Sequence, residues 1–521
     1  MRLILQLLGS LGWCVMFSAA KLSAAESNTL EQWDMFEVSL KGAADGNPFT
    51  DVTLSARFTQ GDHAVTATGF YDGEGNYKIR FMPESAGEWR YTTASNRPEL
   101  AEKTGVLTVA PPGSANHGPV RVAHTFHFAY ADGTPFREIG TTCYAWAQQT
   151  DAQEEQTLQS LASAPFNKIR MCVLPPGRAS RVLRFYPFVG TPPRSWDTTR
   201  FAPAFFRHLE ERIGQLRDLG IEADLILFHP YDQTWGFNSM DAAGDDRYVR
   251  YLVARLSAFR NVWWSLANEF DLVREKRESD WDRLFQLVQS GDPYGHLRSI
   301  HNSVLIYNNA QPWVTHASIQ NGAAVLDPER AEFYRDVWRK PVVYDEVKYE
   351  GTSTARWGQL KAEELVERFW NGTVAGTYVG HGEAYRGNAT VWTSAGGVLY
   401  GESSARLAFL RKILAESPPE GIEPIDKWQE RRMGGKAGEF YLVYFGEQAP
   451  ASWPFLLYKT GLADGMKFTV EVIDTWDMTI TPIEGVFVIK ARDAYVFADK
   501  DNREVALPAR PYLALRIRRQ H

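Results

Sequence analysis

The 521-residue sequence has little cysteine: three in all, Cys14, Cys143 and Cys172. Three thiols cannot build a disulfide framework, and none stands in the CxxC or Cys/His spacing of a zinc site. Acids outnumber bases, 63 to 56, so the basic footprint that nucleic acid demands is missing and nucleic acid is excluded as a partner. Beyond Ala20 no apolar run reaches the length of a membrane span. The chain also lacks internal repeats and low-complexity tracts. What remains is an ordinary globular composition, 44% hydrophobic and 23% charged, with a rich aromatic share of 13% that includes 17 Trp and 22 Tyr. Aromatic faces stack on flat apolar surfaces such as those of sugars, although core packing alone accounts for most tryptophans.

Residues 1–25 join an early cation, Arg2, to an apolar run from Leu3 to Ala20 and a small-residue exit at Ser23, Ala24 and Ala25. This is the layout of a cleavable signal peptide. The expected product is secreted or periplasmic and has lost Cys14, whose preceding Trp13 does not suit lipoprotein processing. Loss of Arg2 and Lys21, in a leader that holds no acid, takes the formal net charge of −7 two units further negative. Whether Cys143 and Cys172 form a bridge or stay as buried thiols is open at this level. The oligomeric state is equally open, and a homo-oligomer is compatible with the sequence.

A chain of this length holds about three domains. From Trp33 to Val109 the apolar residues have period two, as in Val52, Leu54, Ala56 and Phe58 or Tyr77, Ile79 and Phe81, punctuated by "DGEGN" and "SAGE". This predicts an antiparallel, immunoglobulin-like β-sandwich over 27–115. After the linker-like "APPGSANHGP" the pattern changes to short strand-like runs that alternate with helical periodicity, the grammar of a parallel sheet with crossover helices. Eight runs qualify: 137–146, 166–175, 221–230, 261–270, 297–303, 313–320, 340–347 and 376–385. A helix over 203–219 places Phe205, Leu209, Ile213, Leu216 and Leu219 on one face, and another is expected over 359–371. No Gly-rich phosphate loop follows the first run, so a (β/α)8 TIM barrel over 120–418 fits better than an open sheet. Alternation returns after Lys427 and predicts a second β-sandwich over 425–521.

Barrel strands present their C-terminal ends at one mouth, so polar residues at those ends converge. The runs end in Tyr144 and Trp146; His229, Tyr231 and Asp232; Asn268 and Glu269; His301 and Asn302; Thr315, His316 and Gln320; Asp345 and Glu346; and His381, Glu383 and Tyr385. Two of these ends supply carboxylates, Glu269 from the fourth run and Glu346 from the seventh, and a glycosidic bond is cleaved by such a pair, one acid lending a proton and the other attacking carbon or activating water. Asp345 is expected on the other side of its strand, in a salt bridge or a cap.

The motifs "LANEF" and "VVYDEV" resemble the paired signatures of the clan A retaining glycoside hydrolases, the cellulase-like, family-5-like group. The resemblance implies Glu269 as acid/base, Glu346 as nucleophile and Asn268 as a partner of the sugar 2-hydroxyl. It also implies a strand-six residue that steadies the nucleophile, for which His316 is the nearest position, and an aromatic floor after strand eight, for which Trp392 is the candidate. "GFYDGEGNYKIRF" and "LPARPYLALRIR" extend the likeness to three-domain bacterial glycoside hydrolases related to the apiosidase-like barrels, over nearly the whole mature chain.

The expectation is a retaining, exo-acting glycoside hydrolase of plant or microbial poly- or oligosaccharides. Further substrate contacts are expected from His229, Tyr231, Trp146, His301, His381 and Glu383, with no cofactor and no metal. His124 and His127 lie in a strand-like run before the barrel, and "TTCYAW" lacks the HxH pair of a metal-dependent barrel hydrolase. The rival reading is a non-catalytic carbohydrate-binding protein on the same scaffold.

Overall fold

The structure, a computed structural model, describes residues 30–177, 183–320, 322–386, 391–426 and 430–521. The expected leader, with Cys14, lies outside them. Six antiparallel strands form the N-terminal unit in the order Phe36–Lys41, Asn76–Phe81, His63–Gly73, Leu54–Gln60, Gly87–Ser95 and Thr104–Val109. The 11-residue strand His63–Gly73 pairs with Leu54–Gln60 through its first half and with Asn76–Phe81 through its second, so it carries the chain from one layer to the other. The apolar positions read from the sequence meet between the layers: Phe58 stacks on Phe81 with ring centroids 4.0 Å apart.

The eight runs of the middle region become eight parallel strands, here β1 (Gly140–Thr142), β2 (Lys168–Cys172), β3 (Glu222–Phe228), β4 (Val262–Ala267), β5 (Arg298–Ser299), β6 (Ala317–Gln320), β7 (Val342–Glu346) and β8 (Tyr378–His381). Continuous ladders run β5-β4-β3-β2-β1-β8-β7-β6. Among the described residues, one bridge, His301 to Ser318, closes the circle. Seven long helices among the described residues cover the outside: α1 (Asp151–Ser163), α2 (Pro203–Asp218), α3 (Ala242–Leu256), α4 (Glu278–Gly291), α5 (Pro328–Trp338), α6 (Ala362–Val374) and α7 (Ser403–Ala415). Pro203 opens α2, where its missing N–H costs nothing; Phe205, Leu209, Ile213 and Leu216 lie on its buried face as predicted, whereas Leu219 caps the end of the helix and is exposed. Residues 300–316, between β5 and β6, hold no helix. The Asp271 carboxylate instead accepts the backbone N–H groups of Ser303, Val304 and Leu305 at 2.6, 2.8 and 2.9 Å and organises that connection as a loop.

The end of the barrel opposite the mouth is closed by a small sheet, Val120–Ala123, His127–Tyr130 and Pro135–Phe136. Phe128 presses on Trp263 and Tyr378 at the starts of β4 and β8, with centroids 5.2 and 5.1 Å away. The N-terminal sandwich is tied to α2 and α3 by a buried ion network: Arg80 and Arg255 both bind Glu210, and Arg255 also binds Asp72 at 2.8 Å. The C-terminal antiparallel sheet has Phe440–Tyr444, Leu513–Gln520 and Lys467–Asp474 at its centre, and it seats on the barrel where Tyr444 stacks on Trp370 of α6, 5.5 Å apart. Cys143 and Cys172 are free and buried. No helix among the described residues is long and apolar enough to cross a membrane.

Candidate active site

Strand β2 supplies the first part of the site. Lys168 and Arg170 stand two residues apart, so both side chains point into the barrel, where a lone charge would cost several kcal/mol. Lys168 Nζ meets Glu138 and Asp345 at 2.8 Å each. Burial alone would raise the Asp345 carboxyl, but Lys168 and Arg170 hold it well below the usual aspartate range. Asp345 is thus the salt-bridged interior residue that its strand position suggests. Arg170 reaches past it, donating to Asn268 Oδ1 at 2.7 Å and placing Nη1 3.6 Å from Glu346 Oε1.

At the mouth the two expected acids lie at the ends of one hydrogen-bond chain. Tyr144 donates to Glu346. Asn268 Nδ2 donates to Tyr231 Oη at 2.6 Å and reaches Tyr144 Oη at 3.4 Å. Tyr231 in turn donates to Glu269 Oε2 at 2.7 Å. Tyr349 also bonds Glu346, and its hydroxyl lies 3.4 Å from that of Tyr144. Asn268 and Glu346 are buried, whereas Tyr144, Tyr231 and Glu269 keep an exposed edge, so the chain reaches the surface at the mouth. Glu269 has φ +46°, a left-handed backbone that costs a non-glycine residue on the order of 1 kcal/mol. That turn takes it off the line of β4.

Burial pushes the Glu346 carboxyl above the ordinary glutamate value; Arg170 opposes the shift, the Glu269 charge adds to it, and Tyr144 and Tyr349 oppose it again. His229 acts one layer out. Its Nε2 donates to the Leu174 carbonyl at 2.8 Å, its Nδ1 accepts the Tyr231 N–H at 3.2 Å, and its ring stacks on that of Tyr231, centroids 5.5 Å apart. Burial lowers its pKa and keeps it neutral, as this bonding pattern requires.

The other expected contacts lie elsewhere. His301 is near the site, with Nδ1 4.0 Å from Glu346 Oε1, but it is fully buried. His316 is at the closed end, edge-on to Phe128 and Trp263 at 5.7 and 5.3 Å, because β6 begins only at Ala317 and the histidine precedes it instead of ending it. It does not reach Glu346. Trp146 is packed in the wall, its Nε1 on Met171 Sδ at 3.3 Å, and Trp392 is buried with Nε1 on Thr141 Oγ1 at 2.9 Å, so neither ring offers a face to the mouth. His381 stacks on Phe166, and with Glu383 it belongs to a buried group behind Tyr349 that also holds Glu350 and has the composition of a metal site.

Arg170 and Tyr349 are the members of the site that sequence reasoning missed. The signal for Arg170 was the pair of cations in "NKIRMCV", two apart on a strand otherwise fit for full burial. Tyr349 carries no signal beyond its place three residues after Glu346.

This is an arrangement for general acid and nucleophilic chemistry: one buried carboxylate surrounded by donors, a second at the edge of the mouth, and an amide between them.

Comparison with known proteins agrees with the geometry. Residues 123–430 match the apiosidase-like catalytic domain, and two domains of unknown function, DUF5060 and DUF5605, match residues 29–96 and 428–518. The structure of a "putative glycoside hydrolase" from Bacteroides vulgatus ATCC 8482 is 43% identical, covers 94% of this chain and 100% of its own, and superposes with a TM-score of 0.91. A family 5 glycoside hydrolase from the same organism shares the fold at 13% identity and a TM-score of 0.59, over 77% of this chain and 93% of its own. No curated protein matches the sequence. With the family match spanning more than half of the chain, and a relative of the same architecture alongside it, the protein belongs to the apiosidase-like family and is a glycoside hydrolase.

Proposed function

We propose that the enzyme is a retaining glycosidase that works by double displacement. The observation that carries this reading is the hydrogen-bond chain from Glu346 through Tyr144, Asn268 and Tyr231 to Glu269, which holds acids from β4 and β7 at one mouth. In the first step Glu346 attacks the anomeric carbon while Glu269 gives its proton to the glycosidic oxygen, and the carbon–oxygen bond breaks to release the alcohol. In the second, Glu269 takes a proton from water, whose oxygen displaces Glu346 from the sugar. Arg170 and the two tyrosines oppose the rise that burial imposes on Glu346, and Glu269, bonded by Tyr231 at the edge of the mouth, is the group placed to deliver a proton to the leaving oxygen. Asn268, held by Arg170, is positioned to bond the sugar 2-hydroxyl.

The substrate is a plant or microbial poly- or oligosaccharide. The segment between β2 and α2, with its hairpin Phe188–Thr191 and Ser195–Phe201, is bridged to the loop after β3 by Gly177 and Asp232. A wall built on one side of the mouth favours exo action on a non-reducing end. The leader-like first 25 residues support export.

The test is a screen of activated aryl glycosides, starting with apiosides because of the family's name, with the first-formed anomer read by NMR. Retention is expected, and an inverted product would overturn double displacement. Near-normal turnover of Glu346→Gln would remove the nucleophile assignment.

A further inference from the structure

The loops after β7 and β8 carry acids that the hydrolytic proposal does not use. Glu350 and Glu383 are each 1% exposed. Parallel pairing of Glu350–Gly351 with Glu383–Ala384 sets them side by side. Gly401 approaches both so closely that a β-carbon there would stand 2.4 Å from Glu350 Oε2 and 2.6 Å from Glu383 Oε1 and would push the carboxylates from these positions. Two adjacent buried anions need compensation. Part of it comes from the turn entering α7: the N–H groups of Glu402 and Ser403 reach Glu350 at 2.8 and 3.2 Å, and those of Tyr400 and Gly401 reach Glu383 at 2.9 and 3.0 Å. Tyr385 adds its hydroxyl to Glu350 at 2.6 Å. Glu350 Oε1 is saturated by the Glu402 N–H and the Tyr385 hydroxyl, but Glu350 Oε2 and both Glu383 oxygens accept one hydrogen bond each and keep a lone pair free. No lysine or arginine among the described residues lies within 4.0 Å of either carboxylate.

The third member is His381, which is fully buried. Its Nδ1 is satisfied by Thr141 Oγ1 at 2.9 Å, while Nε2 has no hydrogen-bond partner and is aimed at Glu383 Oε1 from 3.6 Å. That separation is too long for a hydrogen bond. It suits two ligands of one ion, because donors about 2.0–2.2 Å from a tetrahedral metal are about 3.3–3.6 Å apart. One ligand atom from each of Glu350, His381 and Glu383 lies within 4.8 Å of the others, and Thr141 fixes the imidazole from behind as outer partners of metal-bound histidines do.

We infer that Glu350, His381 and Glu383 bind a single divalent transition-metal ion. One imidazole and two carboxylates form a mixed donor set that suits zinc and related ions better than calcium. The ion serves structure: it joins the loops after β7 and β8 to the start of α7, one residue behind Tyr349 and away from the reacting carboxylates.

The test uses the full, tag-free chain stripped with EDTA and then titrated with Zn2+ alone, reading metal content after gel filtration, calorimetric stoichiometry and the melting temperature. One tightly held equivalent and a raised melting temperature are expected in the wild type, and both should vanish in Glu383→Gln and His381→Gln. Their folding is checked by circular dichroism, and Glu350→Gln replaces either variant that fails to fold. Uptake below a tenth of an equivalent in the wild type, or equal uptake by the folded variants, would overturn the site.

Discussion

Glu346 and Glu222 are both buried glutamates on barrel strands, yet one ends β7 at the mouth and the other begins β3 at the closed end. Glu346 is approached by Arg170, Tyr144 and Tyr349 and feels the charge of a second acid. Glu222 has the Trp263 Nε1–H at 2.9 Å, with Arg260 and Arg121 only at longer range. Burial pushes Glu222 up to about 8, so it is protonated and inert at neutral pH. Burial raises Glu346 too, but there it is opposed by a guanidinium and two phenols. Reactivity therefore follows from the donors and the partner acid at the mouth, which the closed end lacks.

Removing the acid at each end separates the two. Glu346→Gln should lower kcat/KM on an aryl glycoside by ~10⁴-fold or more, with a melting temperature within about 3 °C of wild type; a destabilised but active variant would erase the contrast. Glu222→Gln should leave turnover alone and change the pH dependence of stability. A carboxyl whose pKa is raised on folding holds its proton more tightly in the folded state, so its contribution is fully present below the ordinary glutamate value and is lost as pH rises to about 8. The loss should reach roughly 5 kcal/mol in the wild type and be absent from the variant, as compared by denaturant melts across that window. Tyr231→Phe cuts the link between Asn268 and Glu269 at the mouth and should cost ~10- to 100-fold in kcat/KM without a matching loss of stability. The smallest effect belongs to the closed end. His316, held neutral by burial and pushed down to about 3, packs on the Phe128 and Trp263 rings with its Nδ1 on the Thr315 hydroxyl at 3.1 Å, so His316→Leu should keep kcat/KM within about twofold and change stability by about 1 kcal/mol. A large kinetic loss there would restore a role for His316 in steadying the nucleophile.

The same contrast explains what the sequence disclosed. All eight strand runs form strands, because each pairs an apolar core with flanking turn residues, and the two acids appear where their runs end. Period-two patterning does not say where within a run the ladder begins, however. The run 313–320 contains a strand of only four residues, and His316 moves from the expected mouth to the opposite end. Trp146 is expected at the mouth because it ends its run, and Trp392 because the resemblance implies an aromatic floor after strand eight, but both rings follow local packing. His381 and Glu383 follow the pairing of two short loops, Glu350–Gly351 with Glu383–Ala384, which spans 33 residues of sequence and leaves no local trace. Arg170 was missed because a cation in an apolar run reads as an interruption, when it is in fact the residue to which Asn268 and Glu346 are anchored.

The bridge between His301 and Ser318 also bears on how the acids keep their spacing. Glu269 follows β4 and Glu346 ends β7, so the short way between them crosses that seam, and the long way runs through the ladders of β3, β2, β1 and β8. The seam is fastened further by the Thr315 N–H on the Arg298 carbonyl at 2.9 Å and the Gln320 N–H on Asn302 Oδ1 at 3.2 Å, so both ways around the wall tie the two acids to one span.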